Sequence, residues 1–257
     1  RLEGLGKKIV VIFDNVEPEA LKTIKNYIKN KPSNMKIVLT TRDESFKSVA
    51  NLVTIEPFLE NEAMAYAKSV FADDPRADEA KLNELLNEVG AEQGVLLPYS
   101  VAQLVTTVKN DEMLEIDEYL AEYREAKNKG ENNLMRLIQL SFTKLQSKSI
   151  AGWELLQYLS KLDPDFIPRE LLKALMPKGS LSAALKALKE QSLVAVKGVG
   201  KESGVSIHRM TQEQCQHYVK AYPESKIDEN TLNWKLVKAL NELMPKPKDY
   251  QAEDWSK

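Results

Sequence analysis

Four residues of this sequence are of types, and stand at places, that suit them to chemistry: Asp14, Arg42, Pro98 and His208. Asp14 closes the apolar run Ile9-Val10-Val11-Ile12-Phe13. An unbroken β-branched run of this kind reads as a strand buried on both faces of a parallel sheet, and an acid at its carboxyl end stands where such sheets bind ligands. A carboxylate there can hold magnesium, directly or through water, beside nucleotide phosphates. The same acid reads equally as an ordinary strand end. The glycine-rich loop ending in Lys-Ser or Lys-Thr, whose backbone N–H groups cradle phosphates, is not in the sequence. Gly4-Leu5-Gly6-Lys7-Lys8 has the wrong spacing, no hydroxyl after the lysine, and leads into a strand instead of a helix. Arg42 ends a second apolar run and, by spacing alone, is as readily an exposed strand-end arginine. Pro98 opens a helix, a place where proline is common without any ligand. His208, taken alone, reads as a structural histidine. The two histidines, His208 and His217, and the single Cys215 make no metal cluster, and Cys215 and His217, two apart on a helix, point to different sides and form no catalytic pair.

The elements that must position these residues follow from periodicity. The 257 residues are enough for two or three domains, and 43% hydrophobic with 29% charged residues is ordinary for a globular protein. No apolar stretch approaches the roughly 20 residues of a membrane span. One cysteine fits a reducing compartment, so a cytoplasmic location without membrane attachment is expected. With 36 basic against 38 acidic residues, the net charge of -2 gives no global pull toward nucleic acid. The chain begins with Arg1 instead of Met, which reads as a piece of something longer. Apolar residues at Ala20, Leu21, Ile24, Tyr27 and Ile28 predict a helix over about 17–31, ended by Pro32. Lys36–Arg42 reads as a second buried strand and Val53–Ile55 as a third. Beyond Phe58 the period is helical: helices are predicted at about 59–71, 78–89, from 96, and at 116–127. Lys129-Gly130-Glu131-Asn132 is the expected domain boundary. Helices then follow at about 133–145, 149–159, 168–175 and 180–191. Leu193–Val196 and Val205–Ile207 flank a turn holding Gly198, Gly200 and Gly204, the plan of a winged helix. Two more helices, at about 210–221 and 231–243, end the pattern.

Four segments, in order, resemble the NB-ARC subclass of signal-transducing P-loop ATPases, especially those whose nucleotide module is followed by tetratricopeptide repeats. Ile9–Asn15 resembles the Walker B strand, Lys36–Arg42 the sensor strand ending in Thr-Thr-Arg, and Gly94–Gln103 the Gly-Leu-Pro-Leu stretch of the helical subdomain. Val205-Ser206-Ile207-His208-Arg209-Met210-Thr211-Gln212 is similar to the winged-helix signature, and Leu162-Asp163-Pro164-Asp165 with Ile167-Pro168 matches wording usual inside it. The resemblance implies an α/β remnant, half of a parallel P-loop sheet, followed by a mainly α-helical subdomain and a winged helix. The implied domains are 1–58, nucleotide-binding; 59–129, helical; 130–222, winged helix; and 223–257, a helix and linker in which Trp255 stands near the start of repeats. It implies Asp14 as magnesium ligand, Arg42 on the terminal phosphate, Pro98 beside adenine, and His208 bonded to the diphosphate of ADP. Asn15 stands where many relatives carry a second acid, with Glu17 a weak substitute, and Leu96 stands where glycine is usual.

The leading expectation is therefore a fragment of a switch controlled by ADP and ATP, with Mg as companion ion and protein partners or self-assembly as output. Lacking the phosphate loop, the chain as it stands is expected to bind nucleotide poorly and to hydrolyse none, although its parent can be a slow ATPase. A second class is an interaction scaffold with a degenerate nucleotide fold, to which Asn15 and Leu96 point. A third is a DNA-binding winged helix. Its candidate recognition helix, Ser180–Gln191, carries Lys186 and Lys189 but also Glu190 on a mildly acidic chain, and so ranks below the other two.

Overall fold

The computed structural model describes residues 7–90, 95–127 and 133–244. The boundary expected at Lys129–Asn132, together with Gly94 and Trp255, lies outside the described residues. The chain forms two compact units, Arg1–Glu56 and Pro57–Lys257, and its fold is mixed α and β.

In the first unit β1 (Ile9–Phe13) runs parallel to β2 (Met35–Leu39), with Ile9 opposite Met35 and Phe13 opposite Leu39. A parallel pair needs a crossover, here a 3-10 turn, Pro18–Ala20, continued by α1 (Leu21–Lys29). Ile24 is the buried residue of α1, and Tyr27 meets the Phe13 ring edge-on at 5.8 Å. Burial of both strand faces does not hold here. Side chains alternate along a strand; Met35 is buried and Ile37 and Leu39 half-buried, whereas Val10 is 60% and Ile12 66% exposed. Within this unit one crossover helix is described, and a helix can cover only one face of the pair.

The expected third strand, Val53–Ile55, does not form: Val53 is 78% and Ile55 85% exposed. β-branched residues favour a strand chiefly through cross-strand and face packing, and this segment pairs with nothing among the described residues. The second strand also ends earlier than expected, at Leu39, beyond which Thr40 and Thr41 bond through their side chains.

In the second unit α2 (Glu60–Val70), α3 (Glu79–Gly90), α4 (Pro98–Asn110) and α5 (Ile116–Lys127) surround a core that includes Ala67, Leu85, Val101, Leu104 and Tyr119. Helix α2 starts where the Glu62 carboxylate accepts from the Leu59 N–H at 2.9 Å, satisfying an otherwise orphan donor. Helix α6 (Asn133–Lys148) is shared: Leu137 belongs to that core, and Ile138, Phe142 and Leu145 to a second one.

The second core is built on α7 (Ile150–Leu159), which is buried nearly all round, as its apolar composition requires. Gly152 lets α6 and α7 approach: a Cβ there would stand 2.8 Å from Leu145 Cδ1. Around α7 lie β3 (Ile167–Pro168), α8 (Arg169–Leu175), α9 (Leu181–Glu190), β4 (Val194–Lys197), β5 (Gly204–Ile207), α10 (Arg209–Ala221) and α11 (Glu229–Leu243). The strands form an antiparallel sheet in the order β3-β5-β4. Strand β3 has no counterpart among the predicted elements, and Gly204 lies in a strand instead of the turn. It has to be glycine, because a Cβ would meet the Ile167 carbonyl oxygen at 2.4 Å. Among the described residues no helix is long and apolar enough to cross a membrane.

Candidate functional site

Asp14 and Arg42 stand in the first unit, at the carboxyl edge of the parallel pair. The strands end together there, and the chain beyond them is stitched by hydroxyls. Thr40 donates its Oγ1–H to Asp14, and the same oxygen accepts the Asn15 N–H at 2.8 Å. The Thr40 N–H bonds Phe13 O at 2.9 Å, and Thr41 Oγ1 donates to Val16 O at 2.7 Å. Asn15 turns the chain with φ of 51°, a left-handed conformation that asparagine tolerates better than most residues. Its side-chain amide donates to Glu17 at 3.4 Å. Asp14 is exposed, and Thr40 contacts one of its two carboxylate oxygens. Arg42 is exposed and forms no ion pair among the described residues.

No group of three or more potential metal ligands exists among the described residues. Magnesium beside a nucleotide takes one or two carboxylates and completes its shell with phosphates and water. A single exposed strand-end carboxylate fits that use and does not fit a protein-only metal cage.

Pro98 and His208 stand in the second unit, and there the fold brings two distant segments together. Pro98 is the first residue of α4, where its missing N–H and fixed φ suit the helix start. Ahead of it Leu96 forms an isolated antiparallel bridge with Phe58, whose N–H donates to Leu96 O at 2.9 Å. The Leu96 side chain is buried, so a leucine where the resemblance expects glycine fills a core position.

His208 caps α10: its Nδ1 accepts the Met210 N–H at 3.2 Å. That bond requires a neutral, unprotonated Nδ1 and puts the ring proton on Nε2, which becomes a donor. Tyr99, the second residue of α4, stacks on the His208 ring with centroids 3.8 Å apart and planes 17° from parallel. The Tyr99 hydroxyl bonds Thr211 Oγ1 on α10 at 2.6 Å. The amino-terminal ends of α4 and α10 therefore converge. Each places the positive end of a helix dipole there, and no side chain caps α4.

Burial pulls the His208 imidazole below its ordinary value of 6.5, Arg209 adding to the effect, while burial raises the Tyr99 phenol. The loop before β3 fixes the approach to this corner, since Ile207 donates to Pro164 O at 2.9 Å. Gln212 is buried and donates to the Leu159 and Leu162 carbonyls, each at 2.8 Å, so it ties α10 to the end of α7 and is not free for a ligand. Arg209 is exposed, 3.8 Å from Asp165. Cys215 is fully buried and its thiol is pushed up to about 12, which leaves it unreactive.

Thr40 and Tyr99 are the participants that sequence reasoning missed. Tyr99 follows Pro98 directly, but its partners stand far along the chain, and nothing local reveals them. Comparison with protein-family models and with curated proteins finds no match for this chain.

Proposed function

We propose that this chain is part of a nucleotide-controlled switch of the NB-ARC class, with ADP as the ligand of its resting state. The observation that carries the reading is the corner formed by Pro98, Tyr99 and His208. Two helix amino termini meet there, and a histidine held neutral by its own cap offers an Nε2–H donor. Helix amino termini with a fixed donor suit a diphosphate. In this reading Pro98 packs beside adenine and His208 donates to a phosphate oxygen. Within the first unit, taken by itself, Asp14 suits a magnesium ion, which neutralises phosphate charge, and Arg42, a planar, always-charged donor, suits a phosphate. Exchange of ADP for ATP at this corner then biases a two-state packing of the winged helix.

Further support comes from the run of α7, β3, α8, α9 and a β4–β5 hairpin with β5 central, an order that suits a winged helix. Catalysis is not part of the proposal. Asn15 stands where an acid would activate water, and its amide is engaged with Glu17.

A titration of ADP into the chain, followed by proton NMR, tests the reading. Millimolar ADP is expected to move the ring resonances of His208 and Tyr99 while leaving His217 in place, with no phosphate released on substituting ATP. A degenerate scaffold, the reading that Asn15 and the buried Leu96 favour, would leave all three unmoved.

A further inference from the structure

Helices α8 and α9 and the β4–β5 hairpin enclose a groove of about 740 Å³ that contains none of Pro98, Tyr99 and His208. Its floor is apolar: Leu172 and Val205 are each 1% exposed, and Leu185 and Val196 continue it outward. Its rim is cationic, with Arg169, Lys173, Lys186 and Lys189 facing a single lining carboxylate, Glu190. Composition does not explain this excess, because the whole chain carries more acids than bases. Internal pairing leaves much of the charge available. Lys186 is 3.8 Å from Glu190 and Lys173 is 3.5 Å from Glu170, both exposed, and exposed pairs of this kind are weak. Arg169 and Lys189 make no ion pair among the described residues.

The groove is elongated. Helix α9 lines it with Leu181, Ser182, Leu185, Lys186, Lys189 and Glu190, one continuous face over the ten residues of the helix. Ten helical residues measure about 15 Å, long enough to seat side chains at i, i+4 and i+7 of a second helix.

We propose that this groove docks an acidic amphipathic helix of a protein partner, its apolar side chains on the leucine floor and its flanking carboxylates against the rim. Both halves are needed: apolar contact supplies affinity, and the cationic rim supplies orientation and encounter rate. Duplex nucleic acid is the other anionic partner to weigh. It takes a protruding recognition helix into its major groove, whereas the groove face of α9 carries two half-buried leucines in a concavity. The proposal stands apart from the nucleotide reading: none of the residues assigned to the nucleotide or its magnesium lines the groove.

The test uses the full chain and three fluorescent probes. One is a synthetic helical peptide with Leu at i, i+4 and i+7 flanked by Glu; the second has Lys in place of each Glu; the third is a short DNA duplex. The acidic peptide is expected to raise anisotropy with micromolar affinity, several-fold weaker at high salt, and the basic peptide to give no change. Lys186→Glu with Lys189→Glu is expected to weaken the acidic peptide at least tenfold with the unfolding midpoint unchanged. Leu185→Asp is expected to weaken it at every salt concentration. An inert acidic peptide, or one that binds the double reversal as tightly as the parent, overturns the proposal. Duplex binding that the double reversal abolishes, with both peptides inert, overturns it in favour of nucleic acid.

Discussion

At His208 one ring nitrogen is committed to the fold and the other is not. Nδ1 accepts the Met210 N–H, so protonation there must break the cap of α10. Burial and Arg209 lower its affinity for protons in the folded chain, while Glu213 opposes them weakly. A folded value below the unfolded 6.5 means that the unfolded chain takes up the proton first. The resulting stability is fully present above 6.5 and is lost as the pH falls through the folded value. Thermal unfolding measured at a series of pH values is therefore expected to show the midpoint dropping below pH 6.5, with a smaller drop in His208→Asn, whose side-chain oxygen caps without titrating. An identical profile in the variant would remove His208 from the account. The residues of this corner were only half legible from sequence. A histidine between a strand and a helix is a local pattern, but the Tyr99 hydroxyl finds Thr211 across 112 positions and is visible only once α4 and α10 have packed.

Elements were the most legible level where one face is buried and each end has a signal. Helix α4 begins at its proline, whereas α11, expected from about 231, begins at Glu229 behind Asp228, whose carboxylate accepts from Thr231. They were least legible where tertiary pairing decides. Val53–Ile55 has strand composition and no ladder, whereas the two residues of β3 form a ladder with almost no composition to announce it. The carboxyl end of α4 has no sequence signal either, because its partner lies between α2 and α3. Arg76 reaches over from that loop and donates to Asp111 O at 2.6 Å and Leu114 O at 2.8 Å, while Asp74 pairs with its guanidinium at 2.8 Å. The Arg76 and Asp74 side chains are only 11% and 6% exposed, so the charges are nearly out of water, and the arginine holds the Asp74 carboxyl far below its usual range. Removing one partner strands the other. Arg76→Met is expected to cost about 3 kcal/mol, the low end for a buried pair, because Lys109 still reaches Asp74 at 2.9 Å. Urea unfolding measures it; a loss under about 1 kcal/mol would mark the pair as a surface one.

For the whole molecule, the division into Arg1–Glu56 and Pro57–Lys257 carries a physical consequence. The second unit holds two hydrophobic cores sharing α6, whereas the first rests on a two-stranded sheet with one helix and leaves Val10, Ile12 and Val38 in water. An isolated two-stranded sheet is marginal and needs more strands or a packed helix; here a single short helix does that work, so the first unit is expected to be the less stable. Among the described residues, the stretch that ends it is the most open to attack. Leu52, Val53 and Ile55 are 43%, 78% and 85% exposed, residues 51–56 form no regular structure, and proteolysis concentrates where backbone is exposed and unpaired. Brief treatment with a protease of broad specificity is expected to cut first within 49–56, before any cut inside α6 or α7. The larger product, beginning near residue 57, is expected to persist and to keep a cooperative thermal transition with the helical circular dichroism of α2–α11. Should the first cuts fall inside the larger unit, or should that product unfold without cooperativity, its two cores would depend on the first unit, and the division would not describe two independently stable bodies.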